Sequence, residues 1–349
     1  MSCKILSGAR RKCMSVVVIV LAIGFGNAAT LTAEDTAATK TKAPSGVKPD
    51  EKIPHYAKDA GEVSGTIKSV GSDTMNNLMA LWAEGFKKVY PNVQVEIEGK
   101  GSTTAPPALI AGTANFGPMS RAMKQQEIDA FESQFGYKPT GVPTALDVLA
   151  VYVHKDNPIA GLTIQQVDAI YSKTRKAGYD KDIVTWGDLG LTGEWADKPI
   201  SLYGRNSASG TYGYFKEHAL KNGDYKSSVK EQPGSSSVVQ GVASDRYAIG
   251  YSGIGYKTSD VRAVPLAAKG EQFIPADMEH AYNGQYPLAR FLLIYVNYKP
   301  DGKLDPLRRE FMKYVLSYDG QADTISDGYI PLTSKVLARS RKTLSLDSE

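Results

Sequence analysis

Apolar and polar positions along this chain follow two periods that take turns. Residues 93–97 (Val-Gln-Val-Glu-Ile) alternate with period two, which predicts a strand, and residues 65–70 read as another. Between them Leu78, Met79, Leu81, Trp82, Phe86 and Val89 recur at helical spacing, with Glu84, Lys87 and Lys88 on the wet side. Further strands are predicted at 114–117, 200–203 and 247–251. Helices are predicted at 106–112, 125–135, 163–171 with Thr163 as N-cap, 214–220, 235–242, 304–318 and from 321 onward. Residues 142–153 and 291–296 are almost continuously apolar, as in strands covered on both faces; Asp147 interrupts the first. Strands alternating with helices predict an α/β fold with parallel sheets flanked by helices. In such sheets ligands bind beyond the carboxyl ends of the strands.

The first residues break this pattern. Lys4, Arg10, Arg11 and Lys12 precede an apolar run at 14–25 and small residues at 26–29, the layout of a secretory signal peptide. An export signal over 1–29 places the mature protein outside the cytoplasm. Both cysteines, Cys3 and Cys13, lie within it, so the mature chain is expected to carry no disulfide, thiolate nucleophile or cysteine metal site. Removing it takes four basic residues and no acidic ones, leaving 37 Lys+Arg against 37 Asp+Glu. That balance argues against nucleic acid as a partner. Residues 30–62 hold few large apolar side chains and read as a flexible spacer.

Candidate chemistry gathers where strands lead into helices. Residues 204–212 (Gly-Arg-Asn-Ser-Ala-Ser-Gly-Thr-Tyr) follow a predicted strand and precede a helix. Free amides and the positive end of the helix dipole make such a junction a seat for an anion. Ser209 and Thr211 add hydroxyls, Gly210 permits close backbone approach, and Arg205 offers a two-pronged cation. Similar junctions place Thr74 and the Met75 amide after the first strand, Ser102 after the second, and Ser120 and Arg121 after the third. Capping residues or surface arginines would explain each one singly. Their common position predicts one shared oxyanion site. Residues 99–104 lack the spacing of a nucleotide phosphate loop, so nucleotide hydrolysis is not expected. Asp147, in its apolar run, needs a partner, for which an arginine of the site would serve, or else caps its strand near solvent.

Taken in order, Gly-Ser-Asp-Thr-Met, Gly-Lys-Gly-Ser-Thr, Phe-Gly-Pro-Met-Ser-Arg, Ala-Leu-Asp-Val-Leu-Ala-Val and Arg-Asn-Ser-Ala-Ser-Gly-Thr resemble the phosphate-binding proteins of the phosphate-specific ABC importer. The resemblance spans residues 63–340. It implies a two-lobed type 2 periplasmic binding protein fold with mixed, mainly parallel sheets and a two-strand hinge near 147–151 and 287–293. Lobe one would be 63–146 with 290–349, and lobe two 147–289. It implies phosphate contacts at Thr74, Met75, Ser102, Arg205, Ser209, Gly210 and Thr211. Some family members carry an aspartate where this chain has Ser120-Arg121, and a carboxylate where it has Ser207. Asp147 or Asp73 is then the candidate acceptor for the proton of hydrogen phosphate.

The expectation is therefore a periplasmic, monomeric protein, without cofactor or metal, that binds inorganic phosphate and docks on ABC permease subunits. Other tetrahedral oxyanions such as sulfate or arsenate are the near alternatives. A hydrolase using Ser209 is disfavoured: no Gly-x-Ser-x-Gly elbow is present, and His55, His154, His218 and His280 form no catalytic pattern. An exported adhesion or matrix protein on the same fold has only the spacer and the 20 tyrosines in its favour.

Overall fold

The computed structural model describes residues 46–58, 61–270 and 272–347. The expected signal peptide and residues 30–45 and 59–60 of the expected spacer lie outside them. The described residues of that segment form no helix or strand, yet it is not a free spacer. Ile53 is buried, and Tyr56 donates from its hydroxyl to Glu310 Oε2 at 2.5 Å and from its amide to Asp319 Oδ2 at 2.7 Å. One isoleucine and one tyrosine are enough to tie down a stretch whose composition otherwise favours disorder.

Strands and helices alternate through the first part of the chain: β1 (Gly65–Val70), α1 (Asn76–Val89), β2 (Val93–Glu98), α2 (Ala105–Ile110), β3 (Phe116–Met119), α3 (Gln125–Phe135) and the long β4 (Thr140–His154). There follow β5 (Leu162–Thr163), α4 (Ile164–Tyr171), β6 (Ser201–Arg205), α5 (Gly210–His218), β7 (Lys230–Gln232), α6 (Ser235–Ser244), β8 (Ala248–Gly253), β9 (Val261–Ala263), β10 (Leu266–Ala267) and α7 (Met278–Tyr282). The chain closes with β11 (Ala289–Val296), α8 (Pro306–Val315), α9 (Tyr318–Ser326) and α10 (Ser334–Thr343). Thr163 caps α4 as expected: its Oγ1 accepts from the Gln166 amide while the Gln166 side chain accepts from the Thr163 amide.

The strands run in the order β2-β1-β3-β11-β4-β8-β6-β7, with β9 also on β4, and β5 and β10 pair separately. Parallel ladders flank an antiparallel centre, because β11 runs against both β3 and β4, and β4 against β8. The sheet is thus mixed. β4 joins its two halves: residues 140–148 pair with β11 and residues 149–153 with β8. That dual pairing explains its apolar run, since residues 144–153 are buried. α1 covers one half with Leu78, Met79, Trp82 and Phe86, all fully buried, each contributing about 1.5–3 kcal/mol of transfer free energy.

At the carboxyl end the structure departs from the predicted continuous helix over 304–318. α8 stops at Val315, and Ser317 starts α9 by accepting from the Gly320 amide at 3.3 Å. A serine that can cap a new helix competes with continuing the old one.

Candidate functional site

The junctions singled out in the sequence meet. Beyond β1 the chain enters a tight helical turn, Asp73–Met75; beyond β2 another, Ser102–Thr104; Ser120 directly follows β3, and Ser209-Gly210-Thr211 opens α5. Thr74 Oγ1 lies 2.9 Å from Thr211 Oγ1, and Thr211 Oγ1 lies 3.5 Å from Ser120 Oγ. Ser120 Oγ accepts from Ser72 Oγ at 3.1 Å and sits 3.3 Å from Ser102 Oγ, which accepts the Ser120 amide at 3.0 Å. Ser72, Thr74, Ser102, Ser120 and Thr211 are all buried. Hydroxyls drawn from separate loops thus form one connected buried cluster.

The halves of the sheet come close enough for this only where side chains are missing. A Cβ on Gly210 would stand 2.2 Å from Ser102 Oγ, and one on Gly101, at φ 119°, would stand 2.4 Å from Ala208 O. The Thr103 amide and hydroxyl both donate to Ala208 O, at 3.2 and 3.0 Å.

Arginine–carboxylate pairs frame the cluster. Arg205 is 1% exposed; Nη1 donates to Ser235 Oγ at 2.6 Å, Nη2 to Pro233 O at 3.0 Å, and Nη2 lies 3.2 Å from Asp73 Oδ2. Its Nε is buried with no hydrogen-bond partner among the described residues. Burial pushes the Arg205 pKa down while Asp73 pulls it up; an arginine so placed keeps its charge. The Asp73 carboxylate also accepts the Ser235 amide at 2.8 Å. Arg290, at the start of β11, is the partner that Asp147 required: Nε and Nη2 donate to Asp147 Oδ2 at 3.0 and 2.8 Å, and the Ile254 amide donates to Oδ1 at 3.0 Å. Asp147 is fully buried, so the alternative of a strand cap near solvent does not hold. Burial drives the phenols of Tyr256 and Tyr329 well above their ordinary pKa; as neutral donors they hold Asp73 O at 2.9 Å and Thr74 O at 2.7 Å.

Other expected contacts are differently engaged. Arg121 turns to Glu127, donating from both Nη atoms at 2.7 Å, and to Ala122 O at 2.8 Å. A carboxylate in the first turn of α3 outcompetes the cluster for it. The Met75 amide donates to Ser72 O at 3.1 Å within its turn. Ser209 Oγ accepts the Thr211 and Tyr212 amides as the cap of α5. Ser72, Ser235 and Arg290 were not singled out from the sequence. For Arg290 the sequence held only a partial signal: it directly precedes one apolar run while Asp147 interrupts the other, and the fold makes the two residues cross-strand neighbours. Among the described residues no group of three or more His, Cys, Asp or Glu is placed to hold a metal ion. The arrangement is rich in donors and hydroxyls, the chemistry that surrounds a small oxyanion.

A family model described as the PBP superfamily domain matches residues 57–319. The phosphate-binding protein PstS of Pseudomonas aeruginosa is 59% identical over 298 residues, covering 85% of this chain and 92% of the relative. A Clostridium perfringens protein crystallised with bound phosphate superposes with a TM-score of 0.64 at 27% identity, over 77% of this chain and all of that one. An ABC-type phosphate transport receptor from Vibrio cholerae shares the fold with a TM-score of 0.59 at 24% identity, over 76% of this chain and all of that one. With its mixed sheet, flanking helices and two central strands linking the halves, the chain has the type 2 periplasmic binding protein fold, and it belongs to the PBP superfamily and, within it, to the PstS family.

Proposed function

We propose that this protein captures inorganic phosphate in the hydroxyl cluster and delivers it to an ABC permease for import. One observation carries the reading: hydroxyls from separate loops converge at the turn that carries Asp73, the carboxylate beside Arg205, whose buried Nε–H has no protein acceptor among the described residues. Leaving such a donor unpaired costs about 1–3 kcal/mol, more when it is charged, and an oxyanion supplies the acceptor. In this reading Thr74, Ser102, Ser120, Arg205, Ser209, Gly210 and Thr211 surround the anion. Met75 joins them if its amide leaves Ser72 O. Arg121, committed to Glu127, stays outside. Asp147 already accepts three hydrogen bonds, so Asp73 is the better candidate for accepting the anion's proton.

The lobes of the working receptor are residues 63–146 with 290–349, and 147–289, moving about β4 and β11. The protein acts in the periplasm as a monomer after its signal peptide is removed, its partners being phosphate and the permease subunits. Its PstS relative is named as a binding protein, and Ser209, serving as a helix cap, supports binding over hydrolysis.

Equilibrium dialysis of the purified protein with radiolabelled phosphate, with sulfate and arsenate as competitors and a phosphate-ester assay in parallel, tests the reading. Saturable phosphate binding with no ester cleavage is expected. Absence of saturable binding, or turnover of the ester, would overturn it.

A further inference from the structure

Arg290 is held on every side. Besides its two bonds to Asp147, Nη1 donates to Ser120 O at 2.8 Å and Nη2 donates to Thr211 Oγ1 at 2.9 Å. Its side chain is 2% exposed and that of Asp147 is fully buried. A guanidinium can only donate, so Thr211 Oγ1 must accept from it. A hydroxyl carries one hydrogen and two lone pairs. With Arg290 on one lone pair and the Thr74 hydroxyl 2.9 Å away able to donate to the other, the Thr211 hydrogen is left to point at a third group, and Ser120 Oγ, at 3.5 Å, is too distant to hold it strongly.

We propose that Asp147 and Arg290 form a positioning pair that fixes the Thr211 hydroxyl as a hydrogen donor to the bound oxyanion, and so helps determine which anions the site accepts. Asp147 holds the guanidinium fork; the fork sets the hydroxyl; the hydroxyl meets an unprotonated oxygen of the anion. Because the pair is neutral as a unit, its contribution is orientation and not added charge. Thr211 belongs to α5, while Ser120 O belongs to the other half of the sheet, so one side chain sets the alignment of both walls. An anion presenting a protonated oxygen to Thr211 binds less well there, since a P–OH oxygen is a poorer acceptor than an unprotonated, charged one. The inference rests on the reading that the cluster holds phosphate.

The test removes the pair without leaving a lone charge. Asp147→Asn combined with Arg290→Gln is expected to weaken phosphate binding by about tenfold in equilibrium dialysis, and Thr211→Val by a similar factor. The triple variant should be no weaker than Thr211→Val alone, within about twofold, because the pair acts through that hydroxyl. Thr211→Ser, which keeps the hydroxyl, should restore the dependence on the pair. Losses that multiply in the triple variant, or a pair variant that binds phosphate as the wild type does, would overturn the inference. Melting curves identify any variant that fails to fold. Arg290→Lys then takes its place, keeping the charge opposite Asp147 without the fork, and should show the same dependence on Thr211. If the unmodified protein binds sulfate and not phosphate, the phosphate reading fails, and the same cycle read with sulfate decides the role of the pair.

Discussion

Arg121 and Arg290 stand in contrast. Arg121 follows a strand and a serine, where an anion-binding arginine is expected, yet Glu127 takes both ends of its fork. Arg290 sits at the start of an apolar strand, where a charge looks out of place, and it reaches Asp147, Ser120 and Thr211 at the heart of the cluster. The nearest carboxylate decides the difference. Glu127 draws its arginine outward along α3, whereas Asp147, buried in the shared strand, draws Arg290 inward. An arginine's position in the sequence says less about its role than the location of the acid that claims it.

Removing each arginine sharpens the contrast. Arg290→Ala should lower phosphate affinity on the order of 100-fold and cost about 3–5 kcal/mol of stability, because Asp147 is left as a buried, uncompensated charge. Isothermal titration and urea unfolding read the two effects. Arg121→Ala should leave affinity within about twofold and cost on the order of 1 kcal/mol, as its partner is only partly shielded from water. Equal losses of affinity from the two substitutions would erase the distinction. The smallest effect concerns pH. Burial pushes the Glu127 carboxyl up, but its bonds from Arg121 and the Lys124 amide outweigh burial and hold it below the ordinary carboxylate range. Its folded-state pKa being depressed, the pair stabilises above the unfolded pKa and loses this contribution as pH falls through the folded one. Glu127→Gln should therefore unfold more easily than the wild type at neutral pH, with the gap closing as acid protonates Glu127.

Much of this was legible in the chain itself. The period-3.6 segment placed α1, the period-two segment β2 and the long apolar run β4, and the strand-to-helix junctions pointed to Thr74, Ser102, Ser120 and Thr211, which the fold brings together, because backbone direction fixes where such loops lie in an α/β sheet. Pairings between distant segments were not legible. Arg121 and Glu127 are near neighbours in sequence, but their choice of each other over the cluster depends on how α3 is set. Arg290 becomes visible only when β11 is laid antiparallel to β4, and sequence periodicity carries no register. The anchoring of the segment before Val63 was missed for a related reason: Ile53 and Tyr56 find their partners on elements near the other end of the chain.

The bare backbone at Gly210 has a consequence for the membrane partner. Any residue with a side chain there would act as a wedge against Ser102, keeping the jaws ajar. A receptor propped in that way would let its cargo wash out and would offer the importer the outline of an empty carrier at all times. On the proposed reading, a carrier that signals its load by closing depends on a missing methyl group at that seam.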